Sequence, residues 1–218
     1  MKSSLRSKID VNVMTRQEFF DRWSVLHLDA PVTGIVKGWL SISYVIARGL
    51  SALRITPNVL TLLGVLSAVA LLFYPYSAIG LIFLVLSLIF DGVDGSVAII
   101  SAKESKLGAA LDSLADRITE ALWFFALYQW GIAPEICLAL FALALTQEYA
   151  RARMASLGFA EIGVVTIAER PVRASAIAIF MVLDLLSFSF APVAIYIFTA
   201  MAVFSVYQVM RAARRHLA

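Results

Sequence analysis

Four regularly spaced aspartates are the residues of this sequence best suited to chemistry. Asp91 and Asp94 lie three residues apart at the end of the apolar run AIGLIFLVLSLIF, and Asp112 and Asp116 lie four residues apart in the next apolar segment. Residues separated by three or four positions share one face of a helix. Ionisable side chains within a membrane are costly and mark functional sites, so these acids indicate a site.

The two pairs of acids are predicted to lie at the same depth. The polar stretch SAKESK separates the two segments and predicts a turn between antiparallel helices. About that turn, Asp91 is level with Asp116 and Asp94 with Asp112, all roughly 10 Å from the helix ends at 1.5 Å per residue. Four carboxylates in one cavity cannot all ionise without cations.

Hard divalent cations with oxygen ligands satisfy this requirement, and two ions of Mg²⁺ or Mn²⁺ are predicted. Two metals that share carboxylates can clamp a phosphoryl group. The predicted ligands are Asp91, Asp94, Asp112 and Asp116. Three glycines nearby, Gly92, Gly95 and Gly108, leave room for a phosphate or nucleotide. The alternative is that the acids form structural pairs with arginines such as Arg117.

The composition excludes a soluble domain. Of 218 residues, 61% are hydrophobic and only 15% are charged, which predicts a membrane protein with several spans. The single cysteine, Cys137, excludes an internal disulfide. The net charge is +3, and the basic residues cluster at segment ends, which indicates membrane topology and no nucleic-acid partner.

The predicted fold class is all-α and integral to the cell membrane, with six transmembrane helices. A crossing needs about 20 residues. With both termini and the active site on the cytoplasmic side, the three outer turns carry none of the 18 basic residues. The predicted spans are 57–76, 78–100, 108–130, 132–155, 172–188 and 190–210.

Residues 1–54 are predicted to form amphipathic helices on the cytoplasmic membrane surface, before a core at 55–218. The stretches RQEFFDRWSVLHL and IVKGWLSISYVIARGLSAL both place apolar residues at helical spacing between charged ones. A seventh span at 35–53, with the N-terminus outside, is the alternative. The first 33 residues lack the apolar region of a signal peptide.

The aspartate spacing resembles the signature of the CDP-alcohol phosphatidyltransferase family. The pattern D-x2-D-G-x2-A, nine residues, then G-x3-D-x3-D runs from Asp91 to Asp116, and the similarity covers about residues 55 to 210. The resemblance implies that an acceptor hydroxyl attacks the β-phosphorus of CDP-diacylglycerol and releases CMP. It implies that the four aspartates bind the metals and that Asp116 also takes the acceptor's proton.

The same resemblance implies further partners. The membrane supplies the lipid substrate, and a second copy of the chain would complete a homodimer. The CDP-lipid is expected to contact Asn58, Thr61, Gly95, Ala98, Ser105 and Gly108.

One position departs from the family pattern. Ile99 stands directly after Ala98, where the family has an arginine that lines the nucleotide site. The substitution predicts weaker CDP-lipid binding, with Lys103 or Lys106 as a substitute cation, and it leaves an inactive homologue as an alternative.

A second pattern concerns the acceptor. YARARMASLG at 149–158 and TIAERPVR at 166–173 resemble phosphatidylinositol-phosphate synthases. That resemblance implies an acceptor such as inositol phosphate, whose phosphate would contact Arg151, Arg153, Arg170 and Arg173. Alternatives are glycerol 3-phosphate or another alcohol as acceptor, or arginines that serve topology only.

Three glutamates outside the aspartate pattern are also candidates for a role, and a second function class is open. Glu120 and Glu148 are predicted on inner helix faces, as buried acids that support the site or pair with arginines. Glu169 is predicted to orient one of Arg153, Arg170 and Arg173. A cation or proton-coupled transporter is the rival function, since membrane acids also build ion paths. The acids cluster at one depth and form no relay across the bilayer, which favours the transferase.

The predicted orientation can be tested by cysteine labelling. In a Cys137→Ser background, Lys103→Cys should react with an impermeant maleimide from the cytoplasmic side only, because the 101–106 turn is predicted inside. Ala133→Cys should react only from the opposite side. Labelling of both positions from one side would contradict the topology, and Cys137→Ser alone is the unlabelled control.

Overall fold

The structure is a computed structural model that describes residues 14–27, 29–158 and 166–217. Within these ranges every regular element is a helix, which confirms the all-α prediction. The helices are α1 (Arg16–Leu26), α2 (Gly34–Ala52), α3 (Pro57–Leu71), α4 (Ala78–Ile100), α5 (Lys106–Gln129), α6 (Pro134–Ser156), α7 (Arg170–Leu185) and α8 (Ala191–Leu217).

The helices from α3 to α8 follow the predicted apolar segments, with two clear differences. The last helix, α8, continues to Leu217 instead of ending at residue 210. The first segment was predicted to continue to residue 76, but α3 ends at Leu71. Pro75 explains the early end, because its ring would clash with the carbonyl of Leu71 if the helix continued. The chain instead turns, and Tyr76 has a φ of 53°.

The apolar helices identify a membrane protein. Ala78–Ile100 and Ala191–Arg215 are each long and apolar enough to cross a bilayer. Gly34–Ala52 and Pro57–Leu71, which are bent by 112° at a short break, add a third crossing if they are counted as one broken span. The predicted number of six spans, the orientation and the surface location of α2 are therefore not confirmed and stay predictions.

The chain divides into two compact units. Unit 1 comprises residues 1–61 and 91–112, and unit 2 comprises residues 62–90 and 113–218. The boundaries fall within α4 and α5, so both helices contribute to both units. The predicted division between 1–54 and 55–218 stays a prediction, and its first 13 residues lie outside the described ranges.

In unit 1, α1 packs on α2 through aromatic side chains. Phe19 is fully buried, and its ring centroid lies 5.5 Å from that of Tyr44. The Tyr44 hydroxyl donates to the carbonyl oxygen of Met14 at 2.7 Å. A capping box starts α1, since the Glu18 N–H donates to the Thr15 hydroxyl and the Glu18 carboxylate accepts from the Thr15 N–H. Both predicted N-terminal segments are therefore helices, and the two helices bury aromatic side chains against each other.

In unit 2, α8 packs against α6 and α7 around an apolar core. The core also includes residues of α5, which is the helix that carries Asp116. Its large buried members include Trp123, Leu140, Ile177, Phe180 and Phe198. This packing fixes the helices whose charged side chains form the network described below.

Candidate metal centre and arginine network

Three of the four predicted ligands form an acidic group. In unit 1, Asp91 of α4 and Asp112 of α5 each offer a carboxylate oxygen, and these oxygens lie within 4.8 Å of each other. Asp116, one helical turn further along α5, is the third member of the group. All three side chains are partly buried. Carboxylates this close favour a bound cation, and their oxygens are the ligands that Mg²⁺ and Mn²⁺ prefer.

The fourth predicted ligand, Asp94, lies outside this group of three. Its side chain is buried and accepts a hydrogen bond from the hydroxyl of Thr61 on α3. Thr61 was predicted as a CDP-lipid contact, and in the structure it orients Asp94. The contact keeps one carboxylate oxygen in a fixed position within unit 1.

Three of the predicted CDP-lipid contacts lie together at the start of α5. The Ser105 hydroxyl accepts a hydrogen bond from the Gly108 N–H at 2.9 Å, which caps the helix. A Cβ added to Gly108 would lie 3.0 Å from the Ser105 hydroxyl oxygen and 4.0 Å from Oδ1 of Asn58. The absence of a side chain at Gly108 therefore lets these two polar groups approach the helix start.

The predicted contacts on α4 differ in exposure. A Cβ added to Gly95 would meet no atom within 4 Å, so space is open there. Ala98 is half-buried, whereas Ile99, in the family's arginine position, is only 3% exposed. Lys103 and Lys106 are exposed, so they stay the candidates for the missing cation.

Arg173 lies inside unit 2 and contacts the protein's own acceptors. It is 1% exposed, as is Glu120, whose carboxylate accepts from Nε of Arg173 at 2.6 Å. One terminal nitrogen donates to Glu148 at 3.0 Å and the other to the carbonyl oxygen of Ala168 at 3.0 Å. The expected pairing of Glu120 and Glu148 with an arginine is therefore confirmed. The guanidinium uses all three nitrogens within the fold, which suits a positioning role.

Asp116 is paired with arginines in unit 2. Nη1 of Arg170 lies 2.9 Å from its carboxylate, and Nη2 of Arg117 lies 3.5 Å away. Arg170 also donates to the Thr119 hydroxyl at 2.7 Å, and its guanidinium carbon lies 5.0 Å from the ring centroid of Trp123. The alternative of structural ion pairs thus applies to Asp116, in addition to its place in the acidic group.

Glu169 orients Arg151, and not one of Arg153, Arg170 and Arg173 as predicted. Arg151 pairs with both oxygens of Glu169 and lies 3.5 Å from Glu148. Glu169 also accepts from the N–H of Thr166 at 2.6 Å. Burial favours the neutral acid, but the hydrogen bonds from Arg151 and Thr166 outweigh burial, and the pKa of Glu169 lies below its usual value.

Acids and arginines therefore alternate through unit 2, and the network joins three of the four predicted acceptor arginines. The fourth, Arg153, is exposed, and its guanidinium donates to the Ser156 hydroxyl at 3.2 Å. Arg117 was predicted only as an alternative partner of the aspartates, and its contact with Glu120 and the contact of Thr119 with Arg170 were not predicted. Arg117 contacts Glu120, three residues later, at 2.8 Å, a spacing that could have indicated the pair.

Comparison with known proteins supports the aspartate signature. The family model described as CDP-alcohol phosphatidyltransferase matches residues 54–209. The archaetidylinositol phosphate synthase of Aeropyrum pernix is 38% identical over 116 residues, which is 52% of this chain and 60% of that protein. The phosphatidylinositol phosphate synthase of Corynebacterium glutamicum is 35% identical over 140 residues, which is 59% of this chain and 63% of that protein. The chain thus spans less than two thirds of either relative.

Solved structures share the fold. The phosphatidylinositol phosphate synthase of Mycobacterium tuberculosis with CDP-DAG bound has a TM-score of 0.64 at 24% identity, over 78% of this chain and 92% of that chain. The same enzyme in complex with manganese and citrate has a TM-score of 0.67 at 24% identity, over 78% of this chain and 87% of that chain. At this level of identity the likeness is one of fold.

We expect Glu120→Gln to destabilise the protein. The change leaves the buried Arg173 without the carboxylate on its Nε, and removing one partner of a buried ion pair costs about 3 kcal/mol. In detergent, the thermal unfolding midpoint should fall by roughly 6 °C or more. Glu135→Gln, at an exposed position at the start of α6, is the matched control. Equal midpoints for Glu120→Gln and Glu135→Gln would show that the pair does not anchor the network.

Proposed function

This chain belongs to the CDP-alcohol phosphatidyltransferase family, and we propose that it transfers a phosphatidyl group from CDP-diacylglycerol to inositol phosphate with release of CMP. The observation that carries the proposal is the acidic group of Asp91, Asp112 and Asp116 within the family-matched region. The YARAR and ERPVR stretches and the inositol phosphate synthases among the relatives support a phosphorylated acceptor.

The acidic group suits divalent cations. Asp91, Asp112 and Asp116 would hold Mg²⁺ or Mn²⁺, and Asp94, oriented by Thr61, would complete a set for two ions. When bound, the ions supply positive charge that stabilises the attacking and leaving oxygens of a phosphoryl transfer.

The reaction is a displacement at phosphorus. The acceptor's hydroxyl oxygen forms a bond to the β-phosphorus, the bond from that phosphorus to the CMP oxygen breaks, and CMP leaves with the electron pair. Asp116 takes the proton from the acceptor hydroxyl. Arg170 at 2.9 Å and Arg117 at 3.5 Å hold the Asp116 carboxylate in one orientation.

The CDP moiety would bind beside the start of α5. Asn58, Ser105 and Gly108 gather there, and the open space at Gly95 admits a large substrate. Ala98, which follows Gly95 by about one turn of α4, would line the same site. Lys103 or Lys106 would supply the positive charge that Ile99 lacks.

The acceptor phosphate would bind arginines at the edge of the network. Arg151, Arg153 and Arg170 are the proposed phosphate contacts, since their side chains are exposed or partly exposed. Arg173 is buried among its own acids, so we assign it the support of the other arginines. Arginine binds phosphate through two parallel hydrogen bonds, which suits a dianionic acceptor.

The proposal also covers the membrane topology, the oligomeric state and the alternative acceptors. We place six spans in the cell membrane, both termini and the site on the cytoplasmic side, and the enzyme as a homodimer. Glycerol 3-phosphate or another alcohol is the second candidate acceptor, favoured by the fact that the arginines recognise the phosphate and not the polyol. A transporter is disfavoured because the acids form one group.

Removal of the metals should abolish turnover. EDTA should stop CMP release from CDP-diacylglycerol, and Asp112→Asn should stop it in the presence of Mg²⁺, because a ligand of the acidic group is lost. Asp21→Asn, on the exposed side of α1, is the control and should retain activity. Full turnover by Asp112→Asn would contradict the assignment of Asp112 as a metal ligand.

Arg153→Ala should weaken acceptor binding selectively. A charge-assisted bond to phosphate contributes about 1.5–3 kcal/mol, so the KM for inositol phosphate should rise roughly 10- to 150-fold while the KM for CDP-diacylglycerol stays constant. Arg211→Ala, an exposed arginine of α8, is the matched control. A wild-type enzyme that prefers free inositol or glycerol to their phosphates would contradict the assignment.

A further inference from the structure

Trp39 of α2 occupies the space beside Gly92 of α4. A Cβ added to Gly92 would lie 2.6 Å from Cζ2 of Trp39, closer than real contacts allow. The missing side chain at Gly92 was predicted to leave room for a phosphate or nucleotide. That interpretation is wrong, because the indole ring fills the position. Gly92 directly follows Asp91, a member of the acidic group.

A second contact lies four residues further along both helices. The Ser96 hydroxyl donates to the Ser43 hydroxyl oxygen at 3.1 Å, and both side chains are buried. Four residues correspond to roughly 6 Å along a helix. Two contacts at this separation fix both the rotation and the translation of the α4 segment relative to α2. Asp94, with its oriented carboxylate, lies between Gly92 and Ser96.

A third contact links α1 to the turn between α4 and α5. Nε of Arg22 lies 3.0 Å from the carboxylate of Glu104, which precedes Ser105. Half of the Arg22 side chain is exposed, so this pair contributes little free energy by itself. The two contacts that hold α4 against α2 are therefore the buried Ser43–Ser96 hydrogen bond and the close approach of Trp39, which is 37% exposed, to Gly92.

These contacts come from outside the family core. The family model begins to match at residue 54, whereas α2 spans Gly34–Ala52. We infer that α2 is an accessory brace in which Trp39 and Ser43 are positioning residues that set the affinity of the metal centre. The inference rests on the proposed function only for the identity of the ions. Ligands must be held within about 0.5 Å of their binding geometry, and residues that support ligands commonly change metal affinity 10- to 100-fold.

The brace can be tested by Mn²⁺ binding to the full chain in detergent, with free Mn²⁺ measured by electron paramagnetic resonance. Trp39→Ala should weaken Mn²⁺ binding roughly 10-fold or more. Trp39→Phe should restore most of the affinity, because an aromatic ring remains against Gly92. Gly38→Ala is the matched control on α2, since a Cβ there meets no atom within 4 Å, and its affinity should equal that of the wild type.

A double-mutant cycle separates direct contact from general damage. Gly92→Ala should displace the indole and weaken Mn²⁺ binding, but it should add no further loss in the Trp39→Ala background. Additive losses, or wild-type Mn²⁺ affinity in folded Trp39→Ala, would overturn the brace. If Trp39→Ala does not fold, Gly92→Ala with wild-type affinity overturns it equally.

The binding readout keeps the two proposals distinct. If the Trp39 and Gly92 variants show coupled losses of Mn²⁺ affinity but the wild type releases no CMP from CDP-diacylglycerol, the proposed function is refuted and the brace is supported. A chain that releases CMP but shows no coupling between Trp39 and Gly92 would refute the brace alone.

Discussion

The repulsion between neighbouring carboxylates is the constraint on which the rest of this structure depends. Oxygens of Asp91 and Asp112 lie within 4.8 Å in a partly buried setting. Two like charges about 4 Å apart repel by about 1 kcal/mol even in water and by more where solvent is excluded. Helix packing must hold the two aspartates together against that repulsion. The buried hydrogen bond between Ser43 of α2 and Ser96 of α4 and the Ser105 cap at the start of α5 are placed to do so.

The arginines of unit 2 follow from a related need for charge balance. Arg173 and Glu120 are both 1% exposed, and neither charge would be tolerated there alone. A buried ion pair adds little net stability, but it fixes the relative positions of the helices that carry it. Here it ties α5 to α7, and Glu148 extends the link to α6. The same network holds the less buried Arg151 and Arg170, two of the arginines that we propose as contacts of the acceptor phosphate.

The spacing of residues along the chain predicted the apolar helices and the acidic site. The features that depend on contacts between different helices were not predicted. Hydropathy and the helical periodicity of apolar residues located the apolar helices. The spacing of the aspartates, three residues in one pair and four in the other, identified the acidic site. Both signals are local in the sequence. The burial of Arg173 was not predictable in the same way, because its partners Glu120 and Glu148 come from other helices. Gly92 was misread for the same reason, since Trp39 lies more than fifty residues earlier. The end of α3 at Leu71 could have been predicted from Pro75.

The number of metal ions at the acidic group tests the central claim most directly. Two Mn²⁺ ions that share carboxylates lie about 3.5–4 Å apart, close enough for their electron spins to couple. Electron paramagnetic resonance of the full chain titrated with Mn²⁺ should therefore show two spin-coupled ions per chain in the wild type. Asp112→Asn should lose the coupled signal. A single isolated Mn²⁺, or a coupled pair that persists in Asp112→Asn, would contradict a two-metal centre built on these aspartates.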